Sequence, residues 1–348
     1  MAKKDIVVIG ASAGGMEALR NLITQLPADF GASVFVVWHT APSVRSVLPR
    51  LMDEHGPLPA AFAIDREPIR PRRIYVAPPD HHLLVEHGFV RVTKGPKENR
   101  FRPAVDPLFR SAAYVYGPRA IGVVLSGALD DGTAGLWTIK LRGGTAIVQE
   151  PDEAAVPGMP LNALRSVDVD YRATLSEIAS LLARLTREEA QPAPVLPLEE
   201  QARTGIEIRI AGEASGLEDK VLEMGDLSPY TCPECHGVLS RIRDGRVMRF
   251  RCHTGHAFSA NSLLSSVTES VEQLLWNALR AIDETVMLLN HLGMHFRDAG
   301  EPATAAVFRR KAEEAKQRGL VIRRVAIESE LLDEEKVARP QELSAARR

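Results

Sequence analysis

The sequence predicts an α/β domain over residues 1–187, followed by a small cysteine-bearing β-hairpin module and a C-terminal helical hairpin. Three observations predict this. Short β-rich runs alternate with helical patterns through the first half. All three cysteines lie between positions 232 and 252. From residue 261 onward, apolar residues recur at helical spacing. The alternation argues for a parallel sheet covered on both faces, because parallel strands need crossover helices between them.

The expected strands are Ile6–Ile9, Val34–Trp38, Ala61–Ile64, Arg73–Val76, Ile121–Leu125 and Thr145–Val148, each rich in β-branched residues. The expected helices are Met16–Gln25, Val44–Glu54, Pro107–Tyr116, Ala134–Leu141 and Leu175–Leu185. The run His82–Val92 departs from this rhythm. It reads as a β-hairpin turning at Gly88 and is expected as an antiparallel edge feature. The proline-rich, charged stretch Arg187–Pro197 reads as a linker. A domain at 1–187 is therefore expected, then a linker and short connecting segment at 188–228, the cysteine module at 229–260 and helices at 261–338. Val267, Val271, Leu274, Leu275, Leu279, Ile282, Val286 and Leu289 mark the first helix. A second, about Ala303 to Glu335, follows the turn Gly300-Glu301-Pro302. No internal repeat is visible.

Composition excludes several classes. The chain has 348 residues, 45% of them hydrophobic, and a formal net charge of −2. That balance suits a packed core and argues against nucleic acid as the partner. No apolar run approaches the roughly 20 residues of a membrane span, so membrane insertion is not expected. The start, Met1-Ala2-Lys3-Lys4-Asp5, carries no signal-peptide pattern. Three cysteines are no disulfide framework, and a reducing cytoplasm is the expected compartment.

The chemistry is expected at strand ends. Gly10-Ala11-Ser12-Ala13-Gly14 has the Gly-x-Ser-x-Gly form that bends a strand sharply into a helix and exposes a hydroxyl. The following helix offers free N–H groups and a positive dipole end to an oxyanion. A glycine turn of this kind also serves nucleotide-binding sheets, where the serine is turn chemistry alone. A nucleophilic serine needs a base and a group to orient it. His39 closes Val34–Trp38, and Asp131, in Ser126-Gly127-Ala128-Leu129-Asp130-Asp131-Gly132, follows Ile121–Leu125. Ligands of open parallel sheets bind beyond the carboxyl ends of the strands, so Ser12, His39 and Asp131 share a mouth at little geometric cost. The order Ser, His, Asp differs from that of α/β-hydrolases.

The stretches Gly10–Gly15, Trp38-His39, Arg102–Asp106, Leu125-Ser126-Gly127 through Asp131–Gly135, and Val156–Pro160 occur in the order found in the CheB-type catalytic domain of chemotaxis protein-glutamate methylesterases. The resemblance spans roughly residues 5 to 187. It implies a doubly wound, mostly parallel sheet and a triad of Ser12, His39 and Asp131, with Asp131 taken over its neighbour Asp130. It also implies hydrolysis of glutamate side-chain methyl esters on a chemoreceptor-like protein, with glutamine deamidation open to the same site and no cofactor for catalysis. Backbone groups at Ala13 and Gly14 are the expected oxyanion donors. Arg102 and Met159 are expected to shape the mouth, Arg102 alternatively serving as a structural ion-pair partner. Ala128 stands where the family commonly has methionine, and the family's N-terminal receiver domain is expected to be absent, since the first strand begins near residue 5. The rival readings are a non-catalytic docking module and a serine hydrolase acting on an ester or amide outside chemotaxis.

Cys232-Pro233-Glu234-Cys235 and Cys252-His253-Thr254-Gly255-His256 form two knuckles around a hairpin turning at Asp244-Gly245. That is zinc-ribbon architecture, with a structural Zn²⁺ on Cys232, Cys235, Cys252 and His256. His256 is preferred to His253 because Gly255 can turn the chain back. A redox Cys-x-x-Cys pair is the rival. Arg241, Arg243, Arg246, Arg249 and Arg251 on the hairpin read either as a solvated surface or as a basic ribbon for an acidic partner. The helices read as a surface for a homo-oligomer, as a docking element, or as an element packed on its own domain.

Overall fold

A computed structural model describes residues 2–40, 46–216, 218, 221–330, 332 and 333. The chain divides into two compact units, residues 1–263 and 264–348.

In the first unit the elements run β1 (Ile6–Ala11), α1 (Gly15–Thr24), β2 (Ser33–Trp38), α2 (Leu48–His55), β3 (Ala60–Phe62), β4 (Ile74–Val76), β5 (His82–Glu86), β6 (Phe89–Thr93), α3 (Val105–Tyr116), β7 (Ala120–Val124), α4 (Thr133–Leu141), β8 (Thr145–Gln149), α5 (Gly158–Ser166), β9 (Tyr171–Ala173) and α6 (Leu175–Leu185). Seven strands form one sheet in the order β3-β4-β2-β1-β7-β8-β9, and every neighbouring pair is parallel. Alternating side chains feed two cores. Val7, Ile9, Val34, Val36, Ile121 and Val123 pack with Leu19, Leu22, Ile178 and Leu182 of α1 and α6. Val8, Phe35, Val37, Val124 and Val148 pack with Leu108, Phe109, Leu136 and Ala163 of α3, α4 and α5. Strands buried on both faces explain why they read as unbroken apolar runs. β1 lies at the switch point, with β2 on one side and β7 on the other.

Several expectations change. The β5–β6 hairpin is a separate two-stranded sheet, not an edge of the main one. Leu83, Val85 and Val90 turn inward against the α3 side of the core. Residues 44 and 45 of the expected second helix lie outside the described residues, and α2 begins at Leu48. The segment around 205–210 is a full helix, α7 (Leu198–Ala211). Its apolar period is poor because the face it buries carries Thr204, Gly205 and Glu207.

Four antiparallel strands follow: β10 (Asp226–Thr231), β11 (Val238–Asp244), β12 (Val247–Cys252) and β13 (Ala257–Ser259). Arg249 and Arg251 on β12 are 4% and 0% exposed, so neither a solvated surface nor a basic ribbon describes them. Arg249 donates to Glu207 at 2.6 and 3.0 Å, and Arg251 donates to Glu207 at 2.9 Å and Glu98 at 2.8 Å. Arg110 of α3 donates to both oxygens of Glu98 and lies 3.4 Å from Glu207. Asp244 closes the group on Arg249. Burial alone would raise the Glu98 carboxyl, but Arg110 and Arg251 hold it down at about 2. Three arginines and three carboxylates thus join α3, α7 and β12 out of water. Such a group is costly to break, since removing one member strands the others.

The second unit contains most of α8 (Ala260–Asp298) and α9 (Pro302–Glu328). The shielded face of α8 starts at Leu275 and steps through Leu279, Ile282, Val286, Leu289, Gly293 and Phe296 in fours and threes, the spacing of a two-helix seam. Phe296 stacks on Phe308 with ring centres 5.1 Å apart. Val267, Val271 and Leu274, expected on that stripe, are exposed. The expected second helix ends earlier, at Glu328, and its residues 331, 334 and 335 lie outside the described residues. Among the described residues no helix is long and apolar enough to cross a membrane.

Replacing Glu207 with Ala, which leaves Arg249 and Arg251 short of a counter-charge, is expected to destabilise the first unit by about 3–5 kcal/mol, read as a lower urea midpoint in tryptophan fluorescence.

Candidate active site and metal centre

β1 and β2 run parallel in the register Gly10–Val37 and Ala11–Trp38, so Ser12 and His39 leave the sheet side by side. The turn after β1 is held from three directions. Ser12 N–H donates to Ser126 O at 2.9 Å, Trp38 Nε1 donates to Ser12 O at 2.9 Å, and Ser126 Oγ donates to Ala13 O at 2.8 Å. Gly14 sits at φ +72°, where a Cβ would meet Ala155 and the Ser126 hydroxyl. Only glycine accepts both that conformation and that approach. Gly127 is equally constrained, because a Cβ there would lie 2.8 Å from the Ser12 Cβ and 2.1 Å from Met159 Sδ.

His39 Nδ1 lies 3.0 Å from Ser12 Oγ, and His39 Nε2 lies 2.7 Å from Asp131 Oδ2. The imidazole stacks on Phe101, ring centres 3.8 Å apart and planes 10° apart. Asp131 is buried and accepts from five donors: His39, Asn99 Nδ2 at 2.9 Å, and the N–H groups of Val105 at 2.7 Å, Asp106 at 3.3 Å and Gly132 at 3.0 Å. Burial opposes its charge, yet His39 and these donors outweigh burial and keep the carboxyl below its ordinary value. Asp130 points elsewhere and accepts from Ser259 Oγ at 2.6 Å.

The serine opens onto a cavity of about 690 Å³ lined by Met16, Glu17, Trp38, Thr40, Asp80, Lys97, Arg100, Phe101 and Arg102 as well as Ser12, Ala13, Gly14 and His39. Arg102 lines this mouth and is also paired, donating to Asp80 at 2.7 and 3.0 Å. Met159 is fully buried beneath Gly127 and does not line it. Among the described residues, the N–H groups of Ala13 and Gly14 have no protein acceptor. They stand at the start of α1, where an anion is favoured. Phe101 and Asn99 had no periodic signal, since both lie in the loop before α3. Asn99 and Arg100 adopt φ of +49° and +76°, which turns their side chains in directions no local pattern announces.

Asp106, in the first turn of α3, shares the Asn99 amide with Asp131, accepting at 2.9 Å. Burial first, and then the charge of Asp131, raise its carboxyl to about 7.

Elsewhere in the first unit, Cys232, Cys235, Cys252 and His256 bring their ligand atoms within 4.8 Å of one another. Cys235 Sγ and Cys252 Sγ are 3.6 Å apart, as are Cys252 Sγ and His256 Nδ1. A tetrahedral ion with metal–sulfur bonds of about 2.3 Å requires sulfur–sulfur edges of about 3.8 Å, so the cluster fits such an ion. His253 lies against Gly237 and is not one of the four. Among the described residues no other such group occurs.

Residues 7–182 match the sequence profile of the CheB methylesterases. A putative protein-glutamate methylesterase/protein-glutamine glutaminase of Leptospira interrogans is 36% identical over 188 residues, covering 54% of this chain and 97% of that protein. Protein-glutamate methylesterase/protein-glutamine glutaminase 2 of Anaeromyxobacter dehalogenans is 39% identical over 186 residues, 53% of this chain and 54% of its own length. The crystal structure of the Thermotoga maritima CheB methylesterase catalytic domain superposes with a TM-score of 0.51 at 35% identity, covering 53% of this chain and 99% of that one. The profile match ends before α7.

Two outcomes are expected. Gly127→Ala displaces Ser12 or Met159 and lowers any Ser12-dependent turnover by at least about 10-fold. Asp106 has a raised folded value, so its contribution to stability is present below pH 4 and is lost as the pH rises toward 7. Thermal melts of Asp106→Asn and wild type at pH 5 and pH 8 should therefore show the variant gaining on the wild type at the higher pH.

Proposed function

The chain belongs to the CheB methylesterase family, and from that membership we propose that it hydrolyses glutamate side-chain methyl esters on a chemoreceptor-like protein through Ser12, His39 and Asp131. The observation that carries this reading is the continuous hydrogen-bonded line from Ser12 Oγ through both nitrogens of His39 to Asp131. His39 Nδ1 takes the proton as Ser12 Oγ attacks the ester carbonyl. Asp131 fixes the tautomer and stabilises the imidazolium that forms. The Ala13 and Gly14 N–H groups receive the developing oxyanion. Collapse of the tetrahedral intermediate breaks the bond to the methoxy group, which leaves as methanol with the proton from His39. Water, deprotonated by the same histidine, then attacks the acyl-serine and releases the glutamate carboxylate. A glutamine side chain fits the same sequence with ammonia as the leaving group, and the names of the relatives support both activities.

The cavity suits a small ester carried on a larger protein. Trp38, Phe101 and Met16 offer apolar walls near the serine, and charged side chains stand among them. No step needs a metal. The Cys₃His cluster is read as a zinc site because three soft thiolates and one imidazole favour that ion, and four protein ligands leave no position for a substrate.

The test is methanol release from a methylated receptor fragment by the full chain. Wild type should release methanol, and Ser12→Ala should lower the rate by at least about 10³-fold. Equal release by both proteins would remove Ser12 as the nucleophile.

A further inference from the structure

The strand that follows the last metal ligand also touches the residue that holds the triad acid. His256 is followed by β13, and the β13 backbone lies against residues 97–99: Ala257 N–H donates to Lys97 O at 3.2 Å, and Asn99 N–H donates to Ala257 O at 2.8 Å. Two residues on, Ser259 N–H donates to Asn99 Oδ1 at 2.8 Å, and Ser262 Oγ donates to the same oxygen at 3.1 Å. Asn99 Nδ2 then donates to Asp131 Oδ1 and Asp106 Oδ2, both at 2.9 Å. The other flank of the metal cluster is tied in as well. Arg251, adjacent to Cys252, donates to Gly255 O at 2.8 Å and to Glu98 at 2.8 Å.

We propose that Asn99 is a positioning residue for the triad, and that the metal-loaded β10–β13 sheet sets its orientation through Ser259 and Ser262, so that metal occupancy controls turnover at Ser12. This rests on the esterase reading above.

The physical case is one of saturation. A side-chain amide has two N–H donors and one acceptor oxygen. Both donors of Asn99 face carboxylates, and its oxygen receives two donors from the β13–α8 junction. Flipping the amide would set its oxygen against the Asp131 carboxylate and its NH₂ against two donors, so only one orientation is satisfied while Ser259 and Ser262 are in place. Asn99 is buried, and water cannot replace those partners without opening the contact. When β13 shifts, Asn99 loses both restraints on its oxygen, and Asp131 is left with a freely rotating donor. Asp130, the residue beside Asp131, loses its Ser259 partner at the same moment. Loosening groups that orient a first layer of functional side chains costs roughly 10- to 100-fold in activity. Asn99, Ser259 and Ser262 do not line the cavity, so substitutions there leave substrate affinity unchanged, whereas Lys97, which β13 also touches, does line it.

The full chain, Ser262→Ala and Asn99→Ala are compared by methanol release and by the rate at which a fluorophosphonate labels Ser12. Circular dichroism and zinc content are measured on each. Ser262→Ala removes the hydroxyl donor to Asn99 Oδ1, keeps all four ligands and is expected to retain zinc while kcat and labelling fall about 10-fold and KM holds. Asn99→Ala should fall further, toward 100-fold. Removing zinc from the wild type with a chelator should slow labelling by a similar factor, and zinc chloride should restore it. In Asn99→Ala, where the route is already cut, chelation should then add little. If the chelated protein loses its circular dichroism, the Ser262 variant decides. Labelling at the wild-type rate by Ser262→Ala, with zinc bound, overturns the proposal and leaves the esterase reading standing. Failure of the wild type to label at Ser12, relative to Ser12→Ala, would instead overturn the esterase reading itself.

Discussion

The parallel register of β1 between β2 and β7 fixes where everything else at the site must stand. Gly10 pairs with Val37 on one side and Val124 on the other, so three chain segments leave the sheet at one level. Ser12, His39 and the loop to Asp131 then have only short distances to cross. A slip of one residue would turn every side chain of β1 to the opposite face and carry Ser12 away from His39. The two cores make that slip expensive, since Val7 and Ile9 belong to one and Ile6 and Val8 to the other. The alignment of Ser12, His39 and Asp131 is here a by-product of hydrophobic sorting across a sheet.

The second organising feature is electrostatic. Glu98, Arg110, Glu207, Arg249 and Arg251 are buried together with their charges intact. Apolar residues of similar volume would often serve stability as well. What the charges add is directionality: each guanidinium presents a planar fork that accepts partners only in its own plane. Strand β12 and helix α7 are consequently fixed on α3 in one orientation, which an apolar patch would specify less sharply. The same orientation delivers β13 to Asn99.

The division between what the sequence reveals and what it conceals follows from these two forces. The main sheet is legible because its strands are buried on both sides and flanked by turn residues. Ser12, His39 and Asp131 are legible because each follows a strand that can be recognised by itself. The cysteine cluster is legible because ligand spacing is a local property. α7 is hidden because its inward face holds Glu207 in place of an apolar residue. Arg249 and Arg251 look like surface residues because the carboxylates that neutralise them lie 42 and 153 residues away in sequence. Phe101 and Asn99 gain their meaning only when a left-handed turn and a distant β-strand meet at the triad, and no window of sequence contains both.

The pairing of Glu98 and Arg110 with Glu207 and Arg251 bears on how such a chain diverges. Two positions within the α/β half are matched in charge to positions on segments that follow it. A lineage that shed those later segments would keep the Glu98–Arg110 pair but lose the counter-charges of Glu207 and Arg251, and both sites would be freer to drift. Where the later segments persist, substitutions at 98, 110, 207 and 251 can be accepted only in compensating sets. The two halves of the gene are thereby inherited as one unit of variation, and recombination between relatives at the proline-rich linker is disfavoured.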